Sequence, residues 1–222
     1  MSLSVVIPAL DEGGRIEETL ASASAPGVEV LVVDGGSRDD TVARARACGA
    51  RVLVSARGRA QQLDAGARAA AGEILLFLHA DTRLPPGYDA AVTRAMADAG
   101  VAGGAFRFRF DRSSPSLRVV EWGARLRVVL LRLPYGDQAL FMRRRVLEAL
   151  GGVPQVPIFE DLDLVRIIRR AGRLALLSLP ATTSARRYEE GGVLRTMLRN
   201  WVAAAAWLAG ADRRRVAAWY GR

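Results

Sequence analysis

The chain of 222 residues has very few of the side chains on which several classes of site depend. It has one cysteine (Cys48), one histidine (His79) and no lysine. A single cysteine excludes an internal disulfide and a cysteine-based metal cluster, and Cys48 falls in an Ala/Arg-rich helical pattern beside Gly49. No stretch reaches about 18 uncharged apolar residues, so the sequence offers no transmembrane helix.

Two common nucleotide-binding loops are also missing. No Gly-x-x-x-x-Gly-Lys-Ser/Thr occurs, which excludes an ordinary P-loop ATPase, and no Gly-x-Gly-x-x-Gly follows the first apolar run, which disfavours a nicotinamide cofactor. That run, Ser4-Val5-Val6-Ile7, has no basic and apolar leader before it. We therefore expect a cytoplasmic protein without a cleaved signal.

The charge is one-sided, with 32 basic residues against 23 acidic ones and a net charge of +9. Such a balance favours an anionic partner, such as a nucleotide, a phosphate, a nucleic acid or a membrane surface. Every basic residue is arginine and alanine is abundant. The base composition of the coding genome accounts for that bias equally well, so the charge alone is weak functional evidence.

The first half alternates short apolar runs with segments of helical period, which is typical of βαβ units on a parallel sheet in one α/β domain. The predicted strands are Leu3–Pro8, Val28–Val33, Arg51–Val54 and Ile74–Leu78, and the predicted helices are Arg15–Ser22, Asp39–Cys48 and Arg59–Ala71. After Asp98, an alternation of Phe and Arg over residues 103–110 predicts a half-exposed strand. We then predict a helix at Ser116–Leu133, a strand over 135–142, a short helix ending at Gly151, a helix from 159 to 171, a strand at Leu174–Leu179 and a helix at Leu194–Leu208.

Polar residues follow the strands of the first half, and the carboxyl ends of parallel strands meet at one rim of a sheet, where ligands bind. The most informative of these tips is His79-Ala80-Asp81, which follows the run Ile74 to Leu78. An imidazole and a carboxylate two residues apart project the same way from an extended backbone and could hold a divalent metal together with its phosphates. A strand-end turn with an aspartate cap is the alternative.

Two other tips fit a nucleotide. In Asp34-Gly35-Gly36-Ser37 the glycines let the backbone approach a ligand, Asp34 can accept hydrogen bonds from a base or ribose, and Ser37 can cap the next helix. Arg59 and Gln62 lie one helical turn apart near a helix start, where N–H groups and a guanidinium can meet a diphosphate. A plain turn and an exposed helix face are the respective alternatives.

Taken in order, these motifs resemble glycosyltransferase family 2, whose enzymes have the GT-A fold. The resemblance covers nearly the whole chain and rests on six segments: Val6-Ile7-Pro8-Ala9-Leu10-Asp11-Glu12; Val32-Val33-Asp34-Gly35-Gly36-Ser37 with Asp39 and Thr41; Gly58 to Gly66; the strand ending in Asp81; Gly103-Gly104; and Glu160-Asp161. Each segment is weak alone, but six in order are a strong signal.

The resemblance implies one GT-A domain with a mainly parallel central sheet, in which residues 1–98 bind the nucleotide sugar, 99–190 the acceptor, and 191–222 form a helical tail. It implies inverting transfer from a nucleoside-diphosphate sugar to a hydroxyl acceptor, with Mn²⁺ or Mg²⁺ on Asp81 and His79 and with Asp161 as the general base. The implied donor contacts are Pro8, Ala9, Glu12, Asp34, Gly35, Ser37, Arg59, Gln62, His79 and Ala80. The implied acceptor side is Gly104, Asp137, Gln138 and Glu160. For Gly136-Asp137-Gln138, a turn that opens a strand is an equally good account.

The sequence departs from the family pattern at several positions. His79 stands where the usual Asp-x-Asp motif has its first aspartate, Gly35 where a second aspartate is common, and Asp64 where asparagine is common. The Gln-x-x-Arg-Trp element of processive synthases is absent, which favours addition of one sugar to a small or lipid-like acceptor. The Phe-Leu-His-Ala-Asp-Thr form and the short tail resemble a bacterial subgroup linked to arsenosugar or selenium gene neighbourhoods.

The C-terminal tail mixes arginine and aromatic residues, with Arg186-Arg187-Tyr188 at its start and Trp201, Trp207 and Trp219 among further arginines. Interfacial helices have this composition, which allows peripheral contact with the inner face of a membrane. Of the two interpretations, a helix docked on the core with a solvated basic face is the favoured one.

Two other functions remain open at this point. A sugar-1-phosphate nucleotidyltransferase has a similar fold, but the Gly-rich basic loop expected after the first strand is missing. A non-enzymatic basic module would bind nucleic acid or anionic lipid in a salt-sensitive way that survives loss of Asp81. The family resemblance favours neither, and no nucleic acid partner is expected.

Overall fold

In the computed structural model, which describes residues 1–221, the apolar runs of the first half form parallel strands. The strands are β1 (Leu3–Ala9), β2 (Val28–Asp34), β3 (Arg51–Val54), β4 (Ile74–Phe77), β5 (Thr82–Arg83), β6 (Val101–Phe110), β7 (Leu140–Arg143) and β8 (Arg173–Thr183). The helices are α1 (Ile16–Ala23), α2 (Thr41–Ala47), α3 (Arg59–Ala69), α4 (Tyr88–Met96), α5 (Pro115–Leu131), α6 (Arg144–Glu148), α7 (Glu160–Ala171), α8 (Arg186–Gly191), α9 (Val193–Leu208) and α10 (Arg213–Tyr220).

All the strands belong to one sheet in the order β3-β2-β1-β4-β7-β6-β8-β5. The first four are parallel, β7 is antiparallel to both of its neighbours, β8 is parallel to β6, and β5 is antiparallel to β8. The prediction of one α/β domain with a mixed, mostly parallel sheet is confirmed. The carboxyl ends of β1, β2 and β4 consequently share one rim, as the motif positions required.

The core lies on both faces of the sheet because successive side chains of a strand point to opposite sides. Val5 and Ile7 of β1 face a cluster that includes residues of α1 and α4. Val6, between them, faces a second cluster with residues of α3 and α7. Strands buried on both faces explain why the runs are continuously apolar rather than alternating.

Several elements differ from the sequence prediction. β8 continues to Thr183 and β6 begins at Val101, because the two strands pair along most of their length with two irregularities in register. Residues 136–138 form a turn of 3-10 helix, so the strand predicted over 135–142 is reduced to β7. The short elements β5, α4, α8 and α10 were not predicted.

The C-terminal helices pack on the domain through both apolar and ionic contacts. Trp207 of α9 is buried, with the guanidinium of Arg166 stacked on its ring. Arg213 of α10 makes a two-pronged contact with Asp163 of α7, in which Nη2 lies 2.9 Å from Oδ1. Within residues 1–221, no helix has both the length and the apolar character to cross a membrane.

Candidate active site

A cleft of about 960 Å³ opens at the rim where β1 and β4 end. Its walls come from the end of β1, the start of α3, the tip after β4, the 3-10 turn, the start of α7 and the C-terminal helices. The charged or titratable lining residues are Glu12, Arg57, Arg59, His79, Asp81, Tyr135, Asp137, Glu160, Asp161, Arg186, Arg187, Tyr188, Arg214 and Tyr220.

Hydrogen bonds to backbone carbonyls hold the segment His79-Ala80-Asp81, which follows β4, in place. The Thr82 amide donates to the carbonyl of His79 at 3.0 Å, which closes a tight turn. The carbonyl of Ala80 accepts from the Thr19 hydroxyl at 2.8 Å, and that of Asp81 accepts from the Ser184 amide at 3.1 Å. With their carbonyls held, His79 and Asp81 present their side chains to the cleft.

Asp161 lies at the start of α7, directly after a residue with a left-handed backbone, Phe159 (φ 68°), and Glu160. Its Oδ2 accepts from the Gly136 amide at 2.8 Å and its Oδ1 accepts from the Leu162 amide at 2.9 Å. Two backbone donors thus fix the orientation of this carboxylate.

Gly136 also brings Asp161 close to the histidine. A Cβ added at Gly136 would lie 2.8 Å from His79 Nε2 and 3.1 Å from Asp161 Oδ2. Real Cβ atoms do not tolerate such approaches without movement of their neighbours. The imidazole and the carboxylate therefore meet at a position where only glycine fits.

Asp137, from the same turn, has an unusual environment. Its Oδ1 is buried and has no hydrogen-bond partner within residues 1–221. Burial raises the pKa of Asp137 to about 6, and the negative charges of Asp161 and Asp81 raise it further against the lowering effect of Arg127 and Arg187. A carboxyl group that titrates near neutrality in a cleft is a common feature of functional sites.

Arg59 crosses the cleft to the carboxylate of Glu160. Arg59 Nη1 lies 3.3 Å from Glu160 Oε1, and the Glu160 side chain is only 1% exposed. Burial lowers the pKa of Arg59, but the charges of Glu160, Asp161 and Asp81 outweigh it and raise the pKa above its ordinary value. Arg59 therefore stays fully charged beside three carboxylates.

Glu12 completes the acidic side of the cleft. Burial and the charge of Asp81 raise its pKa, while Arg186 and Arg15, each 3.6 Å away, lower it. Its Oε2 is buried without a hydrogen-bond partner in the described part of the chain. The mutual repulsion of Glu12, Asp81 and Asp137 creates a negative potential that a cation would relieve.

The turn Asp34-Gly35-Gly36-Ser37 lies beside the cleft but does not line it. The carboxylate of Asp34 accepts from the amides of Gly36 and Ser37 and from the Ser37 hydroxyl, so its oxygens are occupied within the turn. Gln62 is buried and donates its amide to the carbonyls of Ala9 and Val33. A Cβ on Gly35 would lie 3.0 Å from that amide. In this structure the turn supports the Pro8-Ala9 wall rather than reaching into the cleft.

Two predicted acceptor residues also lie outside the cleft. Gln138 is buried, donates to the Phe106 carbonyl at 2.9 Å and accepts from the Tyr135 amide at 3.2 Å, so its amide holds the 3-10 turn. Gly104 is enclosed by the Ala175 carbonyl and the Phe141 ring, and its missing side chain allows the strands to pack. Neither Gln138 nor Gly104 lines the cleft, and their role as acceptor contacts stays a prediction.

The other predicted residues do line the cleft, but sequence reasoning missed one whole wall. That wall comes from α8 to α10 and includes Arg186, Arg187, Tyr188, Asn200, Arg214 and Tyr220. The Asn200 amide donates to the Tyr188 hydroxyl at 3.0 Å, and burial followed by the charge of Asp137 raises the pKa of Tyr188 to about 12. The only sequence signal for this wall is the run Arg186-Arg187-Tyr188, which the sequence places in the C-terminal tail.

Comparison with known proteins identifies the family of the chain. Residues 4–150 match the model of Glycosyl transferase family 2. The chain belongs to this family. No curated protein matches it.

Solved structures with the same fold include glucosyl-3-phosphoglycerate synthase from Mycobacterium tuberculosis in complex with Mn²⁺ and uridine-diphosphate-glucose. That structure is 25% identical, with a TM-score of 0.67, and the match covers 95% of this chain and 80% of the other. The same synthase with Mn²⁺, uridine-diphosphate and glucosyl-3-phosphoglycerate is 24% identical, with a TM-score of 0.67 and coverages of 95% and 81%. A structure described as a mycobacterial protein is 28% identical, with a TM-score of 0.60 and coverages of 82% and 65%. The GT-A-like fold expected from the sequence is confirmed.

Proposed function

We propose that this protein transfers a sugar from a nucleoside-diphosphate sugar to a hydroxyl group of an acceptor, with inversion at the anomeric carbon and with the help of a divalent cation. The observation that carries the proposal is the meeting of His79 and Asp161 at Gly136, with Asp81 in the same cleft. A candidate cation ligand and a candidate general base thus lie in one cleft, which supports the proposal. The family membership and the bound uridine-diphosphate-glucose of the 25% identical synthase support a uridine-diphosphate hexose as donor.

The donor would lie along β1 and the start of α3. Pro8 and Ala9 provide an apolar wall, and the first turn of α3 offers backbone N–H groups that favour phosphate. Arg59, charged at every physiological pH, adds a guanidinium in the same region. Glu160 fixes that guanidinium, which reduces the ordering that donor binding would require.

Asp81 and His79 would hold the cation. Within residues 1–221, no group of three or more His, Cys, Asp or Glu side chains is arranged to bind a metal by itself. One carboxylate and one imidazole nevertheless fit a cation whose other ligands are diphosphate oxygens, and the repulsion of Asp81 with Glu12 and Asp137 favours positive charge there. When bound, such a cation supplies charge neutralisation of the leaving diphosphate.

Asp161 would accept the proton of the acceptor hydroxyl. The Gly136 and Leu162 amides hold its carboxylate in one orientation, as a base that must meet a hydroxyl requires. Attack on the anomeric carbon from the face opposite the leaving diphosphate inverts the centre in one displacement. Asp137 lies in the 3-10 turn beside Gly136 and is close enough to interact electrostatically with Asp161. We propose that it contacts the acceptor.

We infer a small or lipid-like acceptor that receives a single sugar. The cleft is mixed in character, with Phe108, Phe110, Tyr188 and Phe159 beside its charged groups. Such a lining suits a hydroxyl compound that has an apolar portion. The resemblance to the subgroup associated with arsenosugar or selenium neighbourhoods makes small molecules of those classes the first acceptors to test.

The test is a panel of nucleoside-diphosphate sugars with Mn²⁺ or Mg²⁺, read by thermal stabilisation and by release of nucleoside diphosphate. Stabilisation by at least one donor, enhanced by metal, is expected. If no nucleotide sugar stabilises the protein under either condition, the proposal fails. Release of pyrophosphate from a nucleoside triphosphate and a sugar phosphate would instead identify a nucleotidyltransferase.

The base assignment has its own test. Asp161→Asn should lower kcat by roughly a hundredfold or more, with donor affinity largely kept, because only the proton acceptor is lost. Glu73→Gln removes an exposed carboxylate outside the cleft and is the matched control. Loss of donor binding in Asp161→Asn would show that the residue serves the donor site, and a product with retained anomeric configuration would overturn the inverting mechanism.

A further inference from the structure

Helices α5 and α9 each have an apolar outer face as well as an apolar inner one. On α5 the residues Leu117, Val120, Ala124 and Val128 are buried against the domain. Trp122 (66% exposed) and Leu126 (41% exposed) lie on the opposite side of the same helix, and their spacing of four residues puts them on one face. A solvated helix would carry polar residues there.

The same arrangement recurs on α9, where Thr196, Ala203 and Trp207 face inward and Trp201 is 66% exposed on the other side. The two helices contact each other, and residues of both adjoin one apolar cluster. We call the exposed apolar side chains on the outer faces of α5 and α9 the apolar stripe, which consists of Val119, Trp122, Leu126, Val129, Leu130, Leu194, Leu198, Trp201, Val202 and Leu208. Ten large apolar side chains exposed on two adjoining helices are typical of an interaction surface.

Arginines flank the stripe without carboxylates to balance them. Arg118 and Arg125 lie seven residues apart along one side of the α5 face, Arg132 follows the last residue of the helix, and all three are exposed. Within residues 1–221, none of the three forms an ion pair with a carboxylate. α9 contains no acidic residue, and the one acid of α5, Glu121, accepts from the Phe110 amide at 2.8 Å.

We propose that the apolar stripe is a docking surface for an anionic lipid bilayer, on which α5 and α9 lie in the plane of the interface. Exposed tryptophans suit the headgroup region, leucines and valines the acyl boundary, and flanking arginines the negative surface potential. A second copy of the chain fits less well, because it would bring the unbalanced arginines of one α5 against those of another.

The docking surface lies close to the cleft, since α9 contributes Asn200 to the cleft wall and Trp201 to the stripe. Docking would therefore bring the cleft near the lipid surface. The consequence that the acceptor hydroxyl belongs to a membrane lipid rests on the proposed function. The docking itself does not, and it is measured without any donor or metal.

The test is co-sedimentation of the full chain with vesicles of phosphatidylcholine alone and of an equimolar mixture with phosphatidylglycerol. Binding to the mixed vesicles is expected, and the double variant Trp122→Gln, Trp201→Gln should lower the partition coefficient by about tenfold or more. Val54→Gln is the matched control, because Val54 is an apolar residue on β3, 71% exposed and far from the stripe in the sheet order. Failure to bind mixed vesicles would overturn the proposal.

A second pair of variants separates local docking from the general charge of the protein. Arg118→Gln with Arg125→Gln should weaken binding about tenfold, whereas Arg46→Gln with Arg94→Gln, exposed arginines of α2 and α4, should have little effect. Equal losses in both pairs would show that net charge, not the stripe, drives binding. Concentration-dependent dimers that disappear in the tryptophan variant, without vesicle binding, would assign the stripe to a second copy instead.

Discussion

Asp161 accepts a hydrogen bond of 2.8 Å from the backbone amide of Gly136, 25 residues earlier in the chain. The contact joins the start of α7 to the 3-10 turn before β7, so the position of a candidate base depends on a backbone group from another element. His79 Nε2 also lies close to Gly136. The absence of a side chain at Gly136 therefore allows His79, a candidate cation ligand, to approach Asp161, the candidate base.

Substitution of Gly136 by alanine should therefore reduce activity far more than stability. The added methyl group would lie 2.8 Å from His79 Nε2 and 3.1 Å from Asp161 Oδ2, so one of these side chains must move. A displacement of about 1 Å in a reacting group costs on the order of a hundredfold in rate. Steady-state kinetics and urea unfolding of the variant measure the two effects.

Gly123→Ala is the control for this experiment, because a Cβ at Gly123, in α5, meets nothing within 4 Å. A glycine inside a helix is less favourable than alanine, so this variant should be more stable by about 0.5–1 kcal/mol, with unchanged activity. Equal kinetics for Gly136→Ala and the wild-type protein would contradict the role assigned to the glycine.

Asp137 should make the protein less stable as the pH rises. Its pKa is about 6 in the native state, above the ordinary value of 3.8, mainly because of burial. The native state thus holds this proton more tightly than the unfolded state does. The stability from this difference is fully present below about pH 4 and is lost as the pH rises through 6.

Asp137→Asn, which cannot titrate, should gain stability over the wild-type protein between about pH 4 and 6 and then keep a constant advantage of about 1–3 kcal/mol. Urea unfolding at a series of pH values measures the difference. The Glu73→Gln control, at an exposed site, should follow the wild-type curve. A constant difference across the whole pH range would contradict the raised pKa.

The fold of the first half could be predicted because its information is local. β1 and β4 are short apolar runs followed by polar tips, and the period of each segment differs clearly from that of the next. The second half was harder, since β8 extends to Thr183 only because it pairs with β6. The two residues of β5 form a strand only because they pair with the end of β8.

For the candidate site too, residues in recognisable motifs could be predicted, whereas those placed by tertiary packing could not. The order of the motifs predicts Asp81, His79 and Asp161 as site residues, and all three line the cleft. The sequence predicts Gln138 as an acceptor contact. In the structure its side-chain amide donates to the Phe106 carbonyl and accepts from the Tyr135 N–H, and these contacts between distant elements cannot be read from the sequence. Arg214 lines the cleft but belongs to no recognisable motif. Only the packing of α10 on the domain brings it there, so the sequence does not predict it.

The Arg59–Glu160 pair should contribute to stability as well as to donor binding. Removing one partner of a buried ion pair leaves the other desolvated, and Glu160 is 1% exposed. Arg59→Met should therefore destabilise the protein by about 2–4 kcal/mol, with part of the loss recovered in the double variant with Glu160→Gln. Chemical unfolding of the single and double variants measures both values.

The surface pair of Arg83 with Glu18, 2.7 Å apart and largely solvated, is the matched comparison. Arg83→Met should cost less than about 1 kcal/mol, because exposed ion pairs are weak. If the Arg59 and Arg83 variants lose the same small amount, or if the double variant recovers nothing, burial of Glu160 does not determine the energy of the pair.

Local opening of α10 should be controlled by its contact with α7. α10 contacts the domain through the pairing of Arg213 with Asp163, through buried Val216 and Ala217, and through Tyr220, whose hydroxyl donates to Asn200 at 2.5 Å. Asp163→Asn removes the charge of the anchor and should speed amide hydrogen exchange over residues 213–220 by about tenfold, while the strands of the central sheet keep their protection. Asp40→Asn, which removes an exposed partner of Arg44 on α2, should leave exchange in 213–220 unchanged. Slow exchange in the Asp163 variant would mean that the other contacts of α10, its apolar packing and the Tyr220–Asn200 hydrogen bond, are enough to hold α10 and Arg214 against the cleft.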